Sequence, residues 1–267
     1  MNAPLTESPV LAARQGGVLH LTMNRAGARN ALSEAMMAAL QSALDGAAKD
    51  PATRVVVLAA AGPAFCAGHD LKEMTAYRAS GDKGRAKFAA LFTQCSSLMQ
   101  TIVRHPKPVI AQVQGVATAA GCQLVASCDL AIASTEARFA TPGVNIGLFC
   151  STPMVALSRN VARKHAMEML LTGDMIGAED AKRIGLVNRI APAADLQTET
   201  MKLAALIASK PRMTVKIGKE AFYRQLEMGL SDAYDYASRV MTENMLEAEA
   251  QEGIGAFVEK RDPKWPT

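Results

Sequence analysis

The sequence lacks the features that would place it in several large classes of protein. Its 29 lysines and arginines form no basic run and the formal net charge is only +4, which argues against a nucleic-acid partner and weakly favours a small anionic ligand. No apolar run approaches the roughly 18 residues that a membrane span requires, and the N-terminus lacks a basic start followed by an apolar stretch. We therefore expect a soluble, cytoplasmic protein that has no membrane partner.

Cysteine usage and the common catalytic motifs give further exclusions. The five cysteines are odd in number and form no CxxC pair, so we expect reduced, mostly buried thiols and no metal site. The sequence contains no GxSxG element, P-loop or HExxH motif. It therefore gives no support for a serine hydrolase, a nucleotide hydrolase or a zinc protease.

Strand and helix patterns alternate along the first two thirds of the chain. With 267 residues and 49% apolar composition, the whole chain can bury a large core. Residues 18–23 alternate as a half-buried strand does, and residues 54–60 are apolar enough for a fully buried one. Ser33 can cap a helix in which Met36, Leu40 and Leu44 recur. The same order returns with helices at residues 83–103 and from Ala120, and strands at 108–115 and 129–134. This alternation predicts an α/β fold.

Helical patterns take over from about residue 193. Ser231 can cap a helix whose apolar positions share one face, and these positions are Tyr234, Ala237, Met241, Met245 and Ala248. We interpret that stripe as core or as a subunit interface. The prediction is a core of residues 1–192 that carries the ligand site, and a helical oligomerisation region of residues 193–267.

Two loops rich in small residues follow buried strands, namely PAFCAGHDLKEM (63–74) and QGVATAAGCQLVASCD (114–129). Small residues let a ligand approach the main chain closely, and the second loop leads into a helix whose first N–H groups are free. Side by side, the loops would make a site with two N–H donors for an oxyanion. Small residues also suit tight packing of a helix on a sheet, and the spacing does not choose between these readings.

The same loops, with three further blocks, resemble a known family. The blocks are AFCAGHDLKEM, KPVIAQVQGVATAAGCQLVASCDLAIAS, ARFATPGVNIGLF, AMEMLLTGDMIGAEDAKRIGLVNRI and EGIGAFVEKRDPKW. In this order and spacing they are similar to the crotonase family, also called the enoyl-CoA hydratase/isomerase family. The resemblance implies a crotonase-like spiral of repeated strand-strand-helix units with a C-terminal helical region, a homotrimer or homohexamer, and an acyl-CoA substrate. It implies no cofactor, because coenzyme A is part of the substrate.

The resemblance also assigns roles to residues. It implies that the backbone N–H groups of His69 and Ala120 form the oxyanion hole for a thioester carbonyl, in an enoyl-CoA hydratase or isomerase. Residues implied to bind substrate or coenzyme A are Arg25, Arg29, Ala67, Asp70, Leu71, Phe257 and Lys260, the last two reaching across from a neighbouring subunit. For the charged residues the alternative is a solvated surface side chain.

Two positions depart from the family pattern. Hydratases of this family use two glutamates, and here Gln123 and Gly143 stand in their places. Gln can orient a water through its amide but cannot take up a proton near neutral pH, and Gly offers no side chain. Hydration by the usual route is therefore in doubt. The alternatives are another enolate reaction, such as isomerisation or thioester hydrolysis, and a non-catalytic acyl-CoA-binding protein.

Overall fold

Strands and helices alternate in the computed structural model, which describes residues 8–266. The strands are β1 Val10–Gln15, β2 Val18–Met23, β3 Val55–Ala60, β4 Ala64–Cys66, β5 Val109–Val113, β6 Val116–Thr118, β7 Leu130–Ser134, β8 Arg138–Ala140, β9 Ile176–Gly177 and β10 Arg189–Ala191. The α-helices are α1 Glu34–Lys49, α2 Leu71–Tyr77, α3 Arg85–Val103, α4 Ala120–Ser127, α5 Ser151–Asn160, α6 Arg163–Thr172, α7 Ala178–Arg183, α8 Leu196–Ala208, α9 Arg212–Gln225, α10 Leu230–Leu246 and α11 Ala248–Val258. Short 3-10 helices lie at Ala26–Ala28 and Pro142–Ile146.

The strands form two sheets. The larger has the order β1-β2-β3-β5-β7-β10 and is parallel except for the β1-β2 pair. The smaller has the order β4-β6-β8-β9, with β8 and β9 antiparallel. Three times in succession the chain passes from a strand of the larger sheet to a short strand of the smaller one and then into a helix. This repeat confirms the predicted crotonase-like spiral.

Most elements form where the local sequence predicts them. Ser33 accepts a hydrogen bond from the N–H of Met36 and so caps α1, whose Met36, Leu40 and Leu44 are buried. β3 is buried along nearly its whole length, as expected of a β-branched run inside a parallel sheet. The strands β4, β6 and β8 have three residues each, which is too short for an alternating pattern to be read from the sequence.

A second apolar cluster lies on the other face of the larger sheet. There α8 covers residues of four strands, and the buried members of the cluster are Val18, Val55, Val57, Ile110, Ile132, Leu196, Leu203 and Ala204. α8 is therefore packed on the α/β core although it follows residue 193. The division at that residue stays a prediction.

The C-terminal helices differ from the sequence-based expectation in two details. α10 begins after Gly229, not Ser231, and it ends at Leu246, so Glu247 separates it from α11 and interrupts the predicted stripe. The stripe is also exposed, with Tyr234 at 69% and Met241 at 63%. Its interpretation as core is wrong within this chain. The subunit-interface interpretation stays a prediction.

α9 has no buried residue in its apolar face and is joined to the core by polar contacts. The ammonium of Lys219 lies 2.7 Å from a carboxylate oxygen of Asp129 and also donates to the carbonyls of Ile102 and Lys107. The hydroxyl of Tyr223 donates to the other oxygen of Asp129 at 2.9 Å. The Lys219 and Asp129 side chains are 7% and 14% exposed, so this pair is buried and holds α9 against the start of β7.

Candidate functional site

The two small-residue loops touch each other, as the family resemblance implies. Gly68 has φ +94°, and a Cβ built there would lie 3.0 Å from the Cβ of Ala119 and 3.2 Å from the carbonyl oxygen of Thr118. The Thr118 hydroxyl donates to the carbonyl of Ala67 at 3.2 Å. Only glycine allows both this backbone conformation and this close approach.

Ala119 sets the direction of the peptide that follows it. Its φ of 50° and ψ of −117° are rare for a residue with a side chain, and its own N–H is bound to the carbonyl of Ala140 at 2.9 Å. The next residue, Ala120, opens α4, so its N–H has no acceptor within the helix. Behind it, a Cβ on Gly121 would fall 2.1 Å from the carbonyl oxygen of Cys66, which explains the glycine there.

The N–H of His69 is also unused. The segment pairs with Leu32, whose N–H donates to the Gly68 carbonyl while the Asp70 N–H donates back to the Leu32 carbonyl. In such a parallel bridge the N–H of the middle residue points the other way. Among residues 8–266, neither this N–H nor that of Ala120 donates a hydrogen bond to the protein. Two free donors therefore lie on two touching segments.

The side chain of His69 lies against α3. Its ring meets Phe92 edge to face, with centroids 5.5 Å apart, and its Nε2 is buried with no hydrogen-bond partner among the described residues. Burial lowers the pKa of His69 to about 4. The imidazole is therefore neutral near neutral pH and is a weak base.

The remaining residues of the first loop have structural contacts. The carboxylate of Asp70 accepts the N–H groups of Lys72 and Glu73 at 3.1 and 3.4 Å and caps α2. The N–H of Ala67 donates to the carbonyl of Arg29, and Leu71 is exposed. Asp70 thus holds the loop, which is the role expected of Asp at a turn, and its predicted contact with substrate stays a prediction.

Gln123 is buried in α4 and faces α3. Its Oε1 lies 3.9 Å from the Sγ of Cys95, and the residue as a whole is 4% exposed. An amide there can donate and accept hydrogen bonds but cannot exchange a proton near neutral pH.

Gly143 lies in the 3-10 helix Pro142–Ile146 and has no room for a side chain. A Cβ there would lie 2.6 Å from the carbonyl oxygen of Leu148 and 2.9 Å from the Sγ of Cys150. Burial raises the pKa of the Cys150 thiol, and the Ser151 hydroxyl donates to the Phe149 carbonyl at 3.3 Å, so neither is an activated nucleophile. The structure therefore has no acid or base at this position, in contrast to the family pattern.

The residues predicted to bind coenzyme A fall into two groups. Arg25 donates to the Ser33 hydroxyl at 2.8 Å, and Arg29 is exposed a few residues further on. Phe257 is 85% exposed at the end of α11, and Lys260 follows it. No hydrogen bond or ion pair of the described residues joins Lys260 to the two loops. Its predicted contribution to a neighbouring subunit's site stays a prediction.

Residues 8–266 contain neither a cluster of metal ligands nor a helix able to span a membrane. No group of three or more His, Cys, Asp or Glu side chains there has the proximity to hold a metal ion. The same part of the chain has no helix that combines the length and apolarity of a membrane span. All five cysteines are free and buried, as predicted.

Comparison with known proteins decides the family. The model of the enoyl-CoA hydratase/isomerase family matches residues 13–267. The chain belongs to this family. The rat protein named enoyl-CoA hydratase domain-containing protein 3, mitochondrial, is 48% identical to this chain, and the match covers 94% of this chain and 82% of the relative. The human protein of the same name is also 48% identical, and the match covers 96% of this chain and 83% of the relative. The predicted crotonase resemblance is confirmed.

Solved structures of the family have the same fold. An enoyl-CoA hydratase of Mycobacterium smegmatis superposes with a TM-score of 0.93 at 53% identity and covers 98% of this chain and 100% of its own. The structure of human enoyl-CoA hydratase domain-containing protein 3 superposes with a TM-score of 0.91 at 48% identity, and it covers 96% of this chain and 100% of its own.

One prediction is contradicted by these relatives. We predicted a cytoplasmic location from the absence of a recognisable targeting segment, but the relatives from rat, mouse and human, all 48% identical, carry the word mitochondrial in their names. The prediction is wrong, because the absence of a pattern at the N-terminus does not determine where a protein resides.

Several features of the site were not predicted from the sequence. Phe92 was missed because its contact with His69 joins two elements that are distant in sequence. The conformation of Ala119 was missed because alanine there hides a backbone geometry that glycine usually signals. The closed space at Gly143 depends on the chain returning through Leu148 and Cys150.

Proposed function

We propose that this family member binds an acyl-CoA thioester and holds its carbonyl oxygen between the N–H groups of His69 and Ala120. The observation that carries the proposal is the pair of free donors on two touching segments. The relatives' names, which refer to enoyl-CoA hydratases, support coenzyme A thioesters as the ligand class.

Such a site stabilises an enolate. Polarising the carbonyl acidifies the neighbouring C–H bond, and the negative charge that forms on the oxygen faces two donors and the N-terminus of α4. Each donor of this kind contributes about 3–4 kcal/mol to transition-state stabilisation. Reactions that pass through a thioester enolate, such as isomerisation, are therefore favoured in this site.

The residues at positions 123 and 143 do not favour efficient hydration. Gln123 has no titratable group and Gly143 has no side chain, while general acid and base groups each contribute typically about 10²–10⁴ in rate. The neutral, buried imidazole of His69 is a poor substitute because its pKa of about 4 makes it a weak base. Hydrolysis of the thioester would need an activated water, which these residues do not favour either.

A second candidate is a non-catalytic acyl-CoA-binding protein. The closed space at Gly143 favours it, since the obstruction comes from the main-chain carbonyl of Leu148 and is not relieved by rotating a side chain. In this case the two N–H donors bind the thioester carbonyl and no reaction follows. Arg25, Arg29, Phe257 and Lys260 would bind the coenzyme A part in a homotrimer or homohexamer, with the last two supplied by a neighbouring subunit.

Two measurements separate these functions. Calorimetry with butyryl-CoA and free butyrate tests the ligand class, and we expect binding of the CoA ester alone. Mass spectrometry of mixtures with enoyl-CoA, 3-hydroxyacyl-CoA and malonyl-type CoA thioesters then detects turnover. Product from any of them supports an enzyme, and binding without product supports the second candidate. Absence of binding by every CoA ester would contradict both.

A further inference from the structure

The outer edge of β1 is an unpaired strand edge at one end of the larger sheet. Among residues 8–266, β1 pairs only with β2. The other edge strands of the two sheets, β10, β4 and β9, have three, three and two residues, and short edge strands resist pairing with another chain. β1 has six residues, and all those after the half-buried Val10 are exposed. Its free edge is therefore the longest that the described part of the chain presents.

The hydrogen-bond pattern of β1 shows which of its main-chain groups face outward. The N–H of Asn24 donates to the carbonyl of Pro9 at 2.8 Å, and successive residues of an antiparallel strand turn alternately towards and away from their neighbour. Pro9 and the odd-numbered residues after it therefore face β2. The N–H and C=O groups of Val10, Ala12 and Arg14 face outward, where no other described strand lies.

β1 lacks the features by which edge strands usually avoid pairing, which are a proline, a bulge or an unpaired charge. Its register with β2 is continuous over all six residues, and residues 10–13 are apolar. Arg14 carries the charge of the strand, and its guanidinium forms an ion pair with Asp50 and donates to the Thr53 hydroxyl at 3.0 Å. Both partners lie between α1 and β3, so the charge is neutralised and drawn inwards from the edge.

We propose that β1 pairs antiparallel with β1 of a second copy of the chain, about a two-fold axis at Ala12. In this register Ala12 lies opposite its own counterpart and Val10 lies opposite Arg14, and about six inter-strand hydrogen bonds form. The Val10 carbonyl already accepts the Ser8 hydroxyl at 2.8 Å, and its second lone pair serves the new bond. The larger sheets of the two copies thereby become one continuous sheet.

The sequence of β1 fits its own copy in this register. The small side chain of Ala12 lies at the axis, and the exposed Leu11 packs beside Ala13 of the other copy. The two Arg14 side chains lie at opposite ends of the paired strands. A register centred nearer to Arg14 would bring the two guanidinium groups together, and like charges directly opposite each other are destabilising.

This contact determines how many chains assemble. A two-fold contact is isologous, and together with the predicted homotrimer it closes to a homohexamer of two trimers. Three such contacts form at once in a hexamer, so each of them can be weak. The contact is independent of the acyl-CoA site, so a protein that binds no CoA ester would still pair through β1.

A cysteine placed at the axis tests the register. All five native cysteines are buried, so a thiol introduced on β1 is the accessible one. Opposed residues of this kind have Cα atoms about 5.5 Å apart, which a disulfide can span. Ala12→Cys should therefore give a disulfide-linked dimer of twice the 28.3 kDa chain when it is oxidised mildly with diamide.

Gln15→Cys is the matched control. Its thiol is exposed on the same strand but lies about 20 Å from its counterpart in the proposed register, so it should cross-link roughly tenfold more slowly or less. Equal rates at the two positions, or no cross-link at either, would overturn the pairing.

Light scattering gives a second test. Ala12→Pro removes an outward N–H and leaves the ladder with β2 intact, so the mass should fall to half that of the parent. Ala12→Thr keeps the N–H and should keep the parent mass, and circular dichroism checks that both variants fold. A parent of three chains, or a folded Ala12→Pro protein with the mass of a six-chain parent, would overturn the contact.

Discussion

At position 143 the main chain leaves no space for a side chain, and this limits the chemistry more firmly than the identity of the residue does. A Cβ there would lie 2.6 Å from the Leu148 carbonyl oxygen and 2.9 Å from the Cys150 thiol. A carboxylate can therefore not be restored by substitution unless residues 143–150 move. Position 123 differs in this respect, because Glu has nearly the same shape as the Gln123 side chain and could replace it without new contacts.

The first prediction measures this lack of space. Gly143→Ala should lower the free energy of unfolding by about 1–3 kcal/mol, because the added methyl group meets main-chain atoms. Gly46→Ala makes the same chemical change inside α1, where nothing lies within 4 Å of the new Cβ, and should raise stability by up to about 1 kcal/mol. Urea titration of both variants gives the two values, and a Gly143→Ala protein as stable as the parent would show that the loop adapts.

The second prediction concerns the pH dependence that His69 confers. Its pKa is about 4 in the fold, against 6.5 for an ordinary His, so the unfolded chain binds a proton that the folded one does not. The contribution of His69 to folding stability is therefore complete above pH ~6.5 and is lost as the pH falls towards ~4.

The test compares unfolding free energies at pH 7.5 and 5.5. The parent should lose more stability over that interval than His69→Phe does. His20 and His105, whose pKa values burial also lowers, are present in both proteins and cancel in the difference. An identical loss in parent and variant would mean that the imidazole is solvated.

Among the elements, α9 is attached to the core by polar contacts that centre on one buried ion pair. Lys219 and Asp129 satisfy each other in a place where a lone charge is costly, and Tyr223 on the same helix adds a hydrogen bond to the carboxylate. Removing Lys219 leaves the Asp129 carboxylate buried without a counter-charge.

The third prediction follows from this attachment. Lys219→Met should destabilise the protein by about 3–5 kcal/mol and speed amide hydrogen exchange in α9 more than in β3 or β5. Lys202→Met is the control, because its pair with Glu199 on α8 is exposed at both ends and should change stability by less than about 1 kcal/mol. Unchanged exchange in α9 would show that other contacts hold the helix.

The elements also show how far the sequence determines this fold. The strands β2, β3, β5 and β7 and the helices α1, α3 and α4 were predicted close to their observed bounds, because each has five or more residues with an alternating, helical or continuously apolar pattern. The three-residue strands of the smaller sheet have no such pattern. The contact between the two loops was implied by the family resemblance, while the spacing left it open. The contacts of His69, Gln123 and Gly143 were not predicted, because they depend on packing between residues distant in sequence.

In the molecule as a whole, the C-terminal helices expose an apolar surface that is typical of a protein interface. Tyr234 and Met241 of α10 and Phe257 of α11 are 69%, 63% and 85% exposed, and exposed apolar patches of this kind mark interaction sites. Burial of this surface against other copies of the chain agrees with the predicted homotrimer or homohexamer.

The fourth prediction is therefore self-association. Light scattering should give a mass that is a multiple of three chains, and Tyr234→Asp with Met241→Asp should reduce it, because buried charges oppose association. Exchanging the surface residue Lys202 for Asp is the control and should leave the mass unchanged. A monomer at micromolar concentration would contradict both the assembly and the predicted role of Lys260 across subunits.

We propose that two backbone N–H groups polarise a thioester carbonyl, and the stretching vibration of that carbonyl measures this polarisation. Butyryl-CoA labelled with ¹³C at the thioester carbonyl gives an isotope-edited infrared difference spectrum of the bound ligand alone. Hydrogen bonds from His69 and Ala120 weaken the C=O bond, so we predict that its stretching band moves to lower wavenumber on binding and moves back in part when Gly68→Ala pushes the two segments apart. A saturated complex whose carbonyl band lies where it does for the ligand in water, or higher, would contradict the claim.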